Sequence, residues 1–208
     1  MGKVIGVSCI LLGLVCLLAA IGMVLYNSHE ENAGTQSSQV LLQDVQTRME
    51  ENENASETQP KTPVVGEEPL PAPTVSQMPT VSVDGGDCIG ILSIPVLELE
   101  LPVLTDWDYK KLKKAPCLYY GTYYEPDFVI AAHNYQSHFG RLSELQSGDI
   151  VIFTDVTGTA HCYEVVLLET LPKEATMEMI TSGFDLSLYT CTPGGSNRVT
   201  VRCNKVNN

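Results

Sequence analysis

A β-hairpin is predicted by residues 186–203, whose sequence is Leu-Ser-Leu-Tyr-Thr-Cys-Thr-Pro-Gly-Gly-Ser-Asn-Arg-Val-Thr-Val-Arg-Cys. Two runs rich in apolar and β-branched residues flank a loop of six residues that favour turns. If the two strands pair across that loop, Cys191 lies opposite Arg198, with Cβ atoms about 4.5–5.5 Å apart. In the same register Arg202 faces Ser187, about 13 Å further down the ladder.

The pairing of Cys191 with Arg198 has two interpretations. A guanidinium beside a thiol stabilises the thiolate, which is the nucleophilic form, and it can also bind a developing oxyanion. The alternative is a core cysteine and a surface arginine, because a free cysteine is commonly just a small apolar core residue. The hairpin alone leaves both interpretations open.

A cysteine nucleophile needs a proton-transfer partner, and the chain has four histidines. His29 follows the first apolar segment, His161 lies within a predicted strand, and His138 lies in a loop. His133 ends the apolar run Phe128-Val-Ile-Ala-Ala. The end of a buried strand is where a barrel presents groups at its rim, so His133 is the candidate, and a structural histidine is the alternative.

About seven short strands predict a β-rich domain over residues 87–208, arranged as a barrel or a sandwich. Residues 96–102 alternate strictly, with leucines on one face and glutamates on the other. The other strand candidates are residues 89–94, 128–132, 150–154, 160–168, 186–191 and 198–203, and residues 109–114 and 142–145 are predicted to form short helical turns.

An uncharged segment, residues 4–26, predicts a transmembrane signal anchor. As a helix it is about 34 Å long, enough for a hydrocarbon core of about 30 Å. Lys3 precedes it and two glutamates follow it, so the positive-inside rule places residues 1–3 in the cytoplasm and the rest of the chain outside, in a single-pass topology. A cleaved signal peptide, whose apolar region is usually about 7–15 residues, is the alternative.

Residues 27–86 are acidic, polar and rich in proline, which predicts a flexible stalk between the membrane and the extracellular domain, residues 87–208. Six prolines oppose a long helix in its later part. A short amphipathic helix is predicted around residues 40–49, where apolar side chains recur every four positions.

The net charge of −13 is unevenly distributed. Residues 1–26 carry +1, residues 27–86 carry −8 and residues 87–208 carry −6. This acidic balance argues against nucleic acid as a partner, because binding a phosphate backbone needs a basic face. It also argues against a basic surface that would bind anionic lipid.

Residues 188–193, Leu-Tyr-Thr-Cys-Thr-Pro, are followed by Arg198-Val-Thr-Val-Arg. This arrangement, a strand ending in Thr-Cys before a final strand headed by arginine, resembles the signature of the sortase family. Residues 128–134 and the Leu-x-x-Gly-Asp turn at 145–149 resemble its catalytic-histidine segment. Residues 89–95 and 118–122 are similar to its opening strand and to the approach to the histidine strand, so that the resemblance covers about residues 88–206 in order.

The resemblance implies a closed eight-stranded sortase-type β-barrel with short helices, and a membrane-anchored cysteine transpeptidase of a Gram-positive-type cell. Cys191 would attack the Thr–Gly carbonyl of an LPxTG-like sorting signal and form a thioester. His133 would transfer protons, Arg198 would hold the oxyanion, and Thr190 would help to position the substrate or be simply a β-branched strand residue. The implied partners are secreted proteins with a C-terminal sorting signal and an amine acceptor on a peptidoglycan precursor or a pilin lysine, with no cofactor.

Two departures bear on the subclass. There is no Asp-Pro-aromatic lid motif before the barrel and no second apolar span after it, and both would be expected of pilin-polymerising class C sortases. The resemblance therefore favours class A or D. Four acidic residues, Asp106, Asp108, Glu125 and Asp127, show no recognised calcium-loop spacing, so we expect solvated surface charges and no metal.

Three alternatives compete with a cell-wall-anchoring transpeptidase: a pilin-polymerising sortase, a hydrolytic cysteine protease and a surface-displayed β-domain for adhesion with an inert Cys191. Outside the predicted span and the candidate nucleophile, four cysteines remain, which are Cys88, Cys117, Cys162 and Cys203. They allow three disulfide pairings or stay as buried thiols.

Overall fold

Eight strands close into a barrel in the computed structural model, which describes residues 2–57 and 78–206. The described residues form nine strands, of which β2 to β9 make up the barrel: β1 (Val81–Val83), β2 (Gly86–Ile94), β3 (Leu99–Leu104), β4 (Cys117–Tyr120), β5 (Phe128–Ala131), β6 (Ile150–Asp155), β7 (Ala160–Pro172), β8 (Leu186–Cys191) and β9 (Asn197–Lys205). The helices are α1 (Gly2–Glu57), α2 (Tyr109–Leu112) and α3 (Thr176–Ile180), with 3₁₀ turns at Pro95–Leu97 and Leu142–Glu144.

The sheet order is β1-β2-β3-β4-β5-β8-β9-β7-β6, and β6 pairs with β2 to close the barrel. Strand β1 adds to the edge of β2 outside the closed ring of eight. Most neighbours are antiparallel, but β5 and β8 run parallel, so both strands end at the same end of the barrel. The predicted fold class, a closed eight-stranded barrel with short helices, is confirmed.

Apolar side chains at alternate positions of the strands fill the barrel interior. Along β8, Leu186 and Leu188 are fully buried in the core, and they face Cys203 and Val201 of β9. The predicted leucine face of residues 96–102 is buried as well, although its first residues form a 3₁₀ turn and the strand begins only at Leu99. Pro95 favours that turn, because proline suits the first position of a helix.

Two elements of the domain, β4 and α3, are not predicted by the sequence pattern. Strand β4 is four residues long and begins after Pro116, and its outer residues are aromatic rather than polar, so it lacks a period-two signal. Helix α3 has five residues and no side-chain cap, which leaves no helix-start signal in the sequence. Both elements flank the outer face of β8.

Helix α1 continues well beyond the predicted membrane segment. Within the described residues it is long and apolar enough to cross a membrane, with a mean hydropathy of 2.4 in an entirely exposed 18-residue stretch. This finding is consistent with a membrane anchor.

The later part of α1 packs on the barrel. Leu41 and Val45 are 3% and 0% exposed, and they contact β2, β3 and β4, which confirms the amphipathic helix predicted around residues 40–49. Residues 27–57 thus differ from the flexible stalk predicted for them, because the barrel buries an apolar face that the sequence presents every fourth residue. Most of the Pro-rich part of the predicted stalk lies outside the described residues.

Candidate active site

Strands β8 and β9 place Cys191 directly opposite Arg198. The loop between them is held by backbone bonds from Thr192 to Asn197 at 3.0 Å and from Gly195 to Thr192 at 2.8 Å. Gly195 has a φ of +73°, which a residue with a Cβ rarely adopts. The predicted register of the hairpin is confirmed, including the pairing of Arg202 with Ser187.

The Cys191 side chain lies on the outer face of the barrel. Successive residues of a strand point to opposite faces, and Leu188 and Thr190 are buried on the inner side. Tyr189 and Cys191 therefore share the outer face with Arg198, and all three are partly exposed.

The parallel pairing of β5 with β8 brings His133 to the same end of the barrel as Cys191. Ala131 pairs with Tyr189, and the Ala132 amide donates to the Tyr189 carbonyl at 3.2 Å. Two residues beyond this pair, the chain reaches His133 after Ala131 and Cys191 after Tyr189. The fold therefore collects at one rim two residues that are 58 positions apart in the sequence.

The His133 ring is half-buried and stacks on Tyr135, with ring centroids 4.1 Å apart and an interplanar angle of 23°. Burial lowers the pKa of His133 below 6.5, and the charge of Lys113 lowers it further. Glu30 and the side chain of Asn134 act in the opposite direction and raise the pKa. The net lowering keeps the imidazole neutral at pH 7, and a neutral imidazole is able to accept a proton.

The Arg198 guanidinium is oriented by its own loop. Its Nη1 donates to the carbonyls of Gly195 at 3.1 Å and Asn197 at 3.0 Å. The side chain also borders a small cavity of about 100 Å³ on the outer face of β8. The cavity is lined by Trp107, Tyr119, Pro172, Lys173, Ala175, Thr176, Met179, Tyr189 and Arg198.

A larger cavity of about 720 Å³ lies between α1 and the barrel, beside Met49, Ile91 and Thr157. Its lining, within the described residues, holds no cysteine or histidine and no residue of β5 or β8. The smaller cavity beside Arg198 is therefore the better candidate for a substrate site.

Comparison with known proteins decides the family. A family model described as Sortase domain matches residues 92–206, which is more than half of the chain. This chain belongs to the sortase family. The family is one of cysteine transpeptidases. Among curated proteins, no relative matches the chain.

Solved sortase structures share the fold of this sortase. Sortase C of Streptococcus pneumoniae is 22% identical over 79% of this chain and 89% of its own, with a TM-score of 0.53. The sortase D5 transpeptidase of Clostridium perfringens is 16% identical over 85% and 99%, with a TM-score of 0.56. A lid mutant of sortase A from Corynebacterium diphtheriae is 22% identical over 65% and 75%, with a TM-score of 0.50. Sortases named A, C and D match about equally, so assignment to class A or D stays a prediction.

Thr190 of this sortase points into the barrel, where it is 3% exposed. Its hydroxyl donates to the Ala132 carbonyl at 2.9 Å, so it ties β8 to the residue just before His133. Because the hydroxyl points away from the outer face, the predicted role of Thr190 in substrate positioning would be indirect. It would act through the relative placement of the strands that lead to Cys191 and His133.

Tyr135 carried no signal in the sequence, and for Arg202 the sequence predicted the position opposite Ser187 but not its burial or its bonds to α3. Tyr135 stacks on His133 from a loop without periodicity. Arg202, which is 1% exposed, donates to Ser187 at 2.8 Å and to the Glu178 carbonyl at 2.7 Å. It thereby fixes α3 against the outer face of β8, and a buried arginine with partners on three elements is visible only in the folded chain.

The remaining cysteines of the domain are free thiols. Burial raises the pKa of Cys88 to about 11 and that of Cys117 and Cys203 to about 12, which makes these thiols poor nucleophiles at neutral pH. Among the described residues, no group of three or more His, Cys, Asp or Glu side chains is placed to hold a metal ion.

Asp127 differs from the solvated surface charge that the sequence suggested. Its Oδ1 accepts from the Ser182 amide at 2.7 Å and the Gly183 amide at 2.9 Å. The carboxylate thus fastens the loop before β8 to the residue before β5, which is a structural role.

Proposed function

We propose that this sortase cleaves an LPxTG-like sorting signal of secreted proteins and transfers the new acyl end to an amine of a peptidoglycan precursor, thereby anchoring the protein to the cell wall. The observation that carries the proposal is the strand register, which pairs Cys191 with Arg198 and ends β5 and β8 at a common rim with His133.

In the first step, the Sγ of Cys191 attacks the Thr–Gly carbonyl carbon while His133 accepts the thiol proton. Arg198 donates to the oxyanion of the tetrahedral intermediate. The C–N bond then breaks, and His133 returns the proton to the leaving amine, which departs poorly without it. A thioester to Cys191 remains.

In the second step, an acceptor amine attacks the thioester and His133 accepts a proton from it. The new amide forms as the C–S bond breaks, and His133 returns its proton to the sulfur of Cys191, which regenerates the thiol. The bond energy is conserved through the covalent intermediate, so the cycle needs no cofactor.

The anchor supports a location at the outer face of the cell membrane. With Lys3 inside and the acidic residues after the span outside, α1 crosses once and presents the barrel to secreted substrates. The small cavity beside Arg198, walled by Tyr189 and Met179, is the proposed site for part of the sorting signal.

The test uses the full-length chain in lipid nanodiscs with fluorogenic LPxTG-like peptides and an amine acceptor. We expect cleavage with transfer, a thioester of Cys191 detectable by mass spectrometry, and loss of both in Cys191→Ala. Full activity in Cys191→Ala would refute a cysteine mechanism. Dominant hydrolysis in the presence of acceptor would favour the cysteine protease, and transfer only to a pilin lysine would favour the pilin-polymerising sortase.

A non-enzymatic adhesion domain makes a different prediction. In that case the Cys191 thiol would alkylate no faster than the buried Cys88 and Cys117, and His133→Ala would leave its rate unchanged. We expect faster alkylation of Cys191 and a change of its rate in His133→Ala, measured peptide by peptide with mass spectrometry.

A further inference from the structure

Helix α1 crosses the loop that follows His133 and bonds to it. The carboxylate of Glu31 accepts a hydrogen bond from the Gln136 amide at 2.7 Å. The Thr35 hydroxyl lies 2.8 Å from the Ser137 hydroxyl and donates to it. These two contacts join segments that are more than 100 positions apart in the sequence.

Gly34 lies between those two contacts, and its backbone approaches the loop too closely for any side chain. A Cβ at this position would lie 2.7 Å from the Tyr135 ring and 2.9 Å from the Lys113 carbonyl oxygen, closer than Cβ atoms come in proteins. The helix backbone therefore rests against the Tyr135 ring.

Tyr135 links the helix to His133. Its ring touches α1 at Gly34 and stacks on the His133 ring at 4.1 Å. Its buried hydroxyl has no hydrogen-bond partner among the described residues, so packing alone sets the orientation of the ring.

The orientation of the His133 ring also depends on packing. Its Nδ1 is buried and has no partner within the described part of the chain. A catalytic histidine is usually oriented by a hydrogen bond to the nitrogen that does not transfer the proton. Here the stack on Tyr135 takes that place.

Charged groups from other elements face the same ring. Glu30 of α1 pairs with Lys113 at 2.8 Å, and the two act on the pKa of His133 in opposite directions. Asn134 beside it raises the pKa, and His138 lies in the same loop. The part of α1 that directly follows the apolar segment thus contributes both packing and charge to the surroundings of His133.

We propose that residues 30–35 of α1 position His133 for proton transfer, with the Gly34 backbone seating Tyr135 and Tyr135 holding the imidazole toward the Cys191 rim. The anchor helix is in this respect a part of the active site and not only a tether. This inference rests on the function proposed above, and it makes Gly34, Glu31 and Tyr135 positioning residues.

The principal experiment compares Gly34→Val with Gly22→Val in full-length protein in nanodiscs. Both glycines lie in α1, but a Cβ at Gly22 meets nothing within 4 Å. We expect Gly34→Val to lower kcat on the order of tenfold or more, because small misplacement of a catalytic group is costly. KM for the peptide should stay unchanged, and Gly22→Val should match the wild type in both.

Two further readouts separate positioning from a general structural defect. A loosened His133 becomes more hydrated, so the acidic limb of kcat/KM should move to higher pH in Gly34→Val. The ¹³Cε1 signal of His133, assigned with His133→Gln, should shift or broaden in Gly34→Val and stay in place in Gly22→Val. The NMR readout needs no substrate, so it tests the positioning even if no sorting peptide is turned over, in which case the proposed function fails by itself.

A second pair of variants, with smaller structural changes, tests the proposal if Gly34→Val does not fold. Glu31→Ala removes the acceptor for the Gln136 amide, whereas Glu31→Gln retains an oxygen acceptor. We expect Glu31→Ala to lower kcat and Glu31→Gln to restore it. An unchanged kcat and an unchanged His133 signal in Gly34→Val and Glu31→Ala would overturn the proposal, and so would a higher kcat, which would mean that the helix obstructs the site.

Discussion

The hydroxyl of Thr190 joins the strand that carries Cys191 to the strand that ends before His133, through its bond to the Ala132 carbonyl. Thr190→Val keeps the shape of the side chain but leaves that carbonyl without its donor. We expect a loss of about 1–2 kcal/mol in unfolding free energy, measured by urea denaturation, and a lower kcat.

Thr190→Ser is the matched control for this bond, because it keeps the hydroxyl and loses only a methyl group. It should retain more kcat than Thr190→Val even if the two variants are similarly stable. Equal activities in the two variants would show that the bond to Ala132 does not influence the chemistry.

His138 gives the protein a pH-dependent stability. Its side chain is fully buried, and burial together with the nearby His133 lowers its pKa from 6.5 to about 4, while a hydrogen bond with the Gly34 backbone acts in the opposite direction. The unfolded chain takes up the proton near pH 6.5 and the folded chain only near pH 4. Stability from the neutral ring is therefore present above pH 6.5 and is lost as the pH falls from 6.5 to 4.

The expected loss across that window is about 3 kcal/mol, since a pKa difference of one between the folded and unfolded chain corresponds to about 1.4 kcal/mol. Urea denaturation at pH 7 and pH 4.5 measures it. In His138→Leu the fall in stability over this window should be smaller by most of that amount, while in His29→Gln, at an exposed position of α1, it should equal that of the wild type. An equal fall in unfolding free energy between pH 7 and pH 4.5 in His138→Leu and the wild type would contradict the prediction.

At the scale of elements, Arg202 holds α3 on the outer face of β8. Besides Ser187 and the Glu178 carbonyl, it donates to Glu169 at 2.8 Å and to the Met179 carbonyl at 3.2 Å. Arg202→Ala leaves these acceptors unpaired in a buried place. We expect a loss of roughly 3 kcal/mol in unfolding free energy, because one partner of a buried pair is removed.

Because α3 also borders the cavity beside Arg198, we expect Arg202→Ala to raise KM for the sorting peptide. Lys173→Ala is the control, because this exposed residue borders the same cavity and its ion pair, at 3.7 Å, is with the neighbouring Glu174. An unchanged KM in Arg202→Ala would show that the placement of α3 does not influence substrate binding.

The packing of α1 on the barrel is a second element-scale feature. Val45→Asp places a charge where the side chain is fully buried against Cys88 and Ile91. Since an unpaired buried charge is costly, the helix should detach, and hydrogen exchange of residues 30–52 should rise. Val40→Asp is the control because Val40 is 63% exposed on the same helix, and equal exchange in the two variants would contradict the packing.

The sequence predicted those parts of the fold that depend on local pattern. Alternation and turn residues were sufficient for the β8–β9 hairpin, and hence for the opposition of Cys191 and Arg198. The four-residue spacing of Leu41 and Val45 indicated a helix, but not that a barrel face would bury it and extend it to Glu57. Contacts such as Gly34 with Tyr135 depend on two segments about 100 positions apart, and no local period records them.

At the scale of the whole molecule, the strand directions and the helix together fix which end of the barrel is nearer the apolar segment. Strands β5 and β8 both end at the rim of His133 and Cys191. That rim contacts α1 at Glu31, whereas the opposite end, at Thr157, borders a cavity with Met49. At 1.5 Å per residue, Glu31 and Met49 are about 27 Å apart along the axis of α1.

The predicted span ends at residue 26, only about 8 Å of helix before Glu31. With the span in a bilayer, the rim that carries His133 and Cys191 should therefore lie close to the membrane surface, where a substrate or an acceptor held in the membrane emerges. A fluorescent label, introduced as an encoded amino acid at the exposed Gln136 or at the exposed Thr157, measures this in nanodiscs with quenchers on the lipid headgroups. We expect strong quenching at 136 and weak quenching at 157. Val45→Asp should reduce the difference, because the barrel loses its fixed orientation on α1, and Val40→Asp should preserve it. Equal quenching at both positions in the wild type would mean that α1 bends between the span and the barrel, so that the active-site rim is not directed toward the membrane.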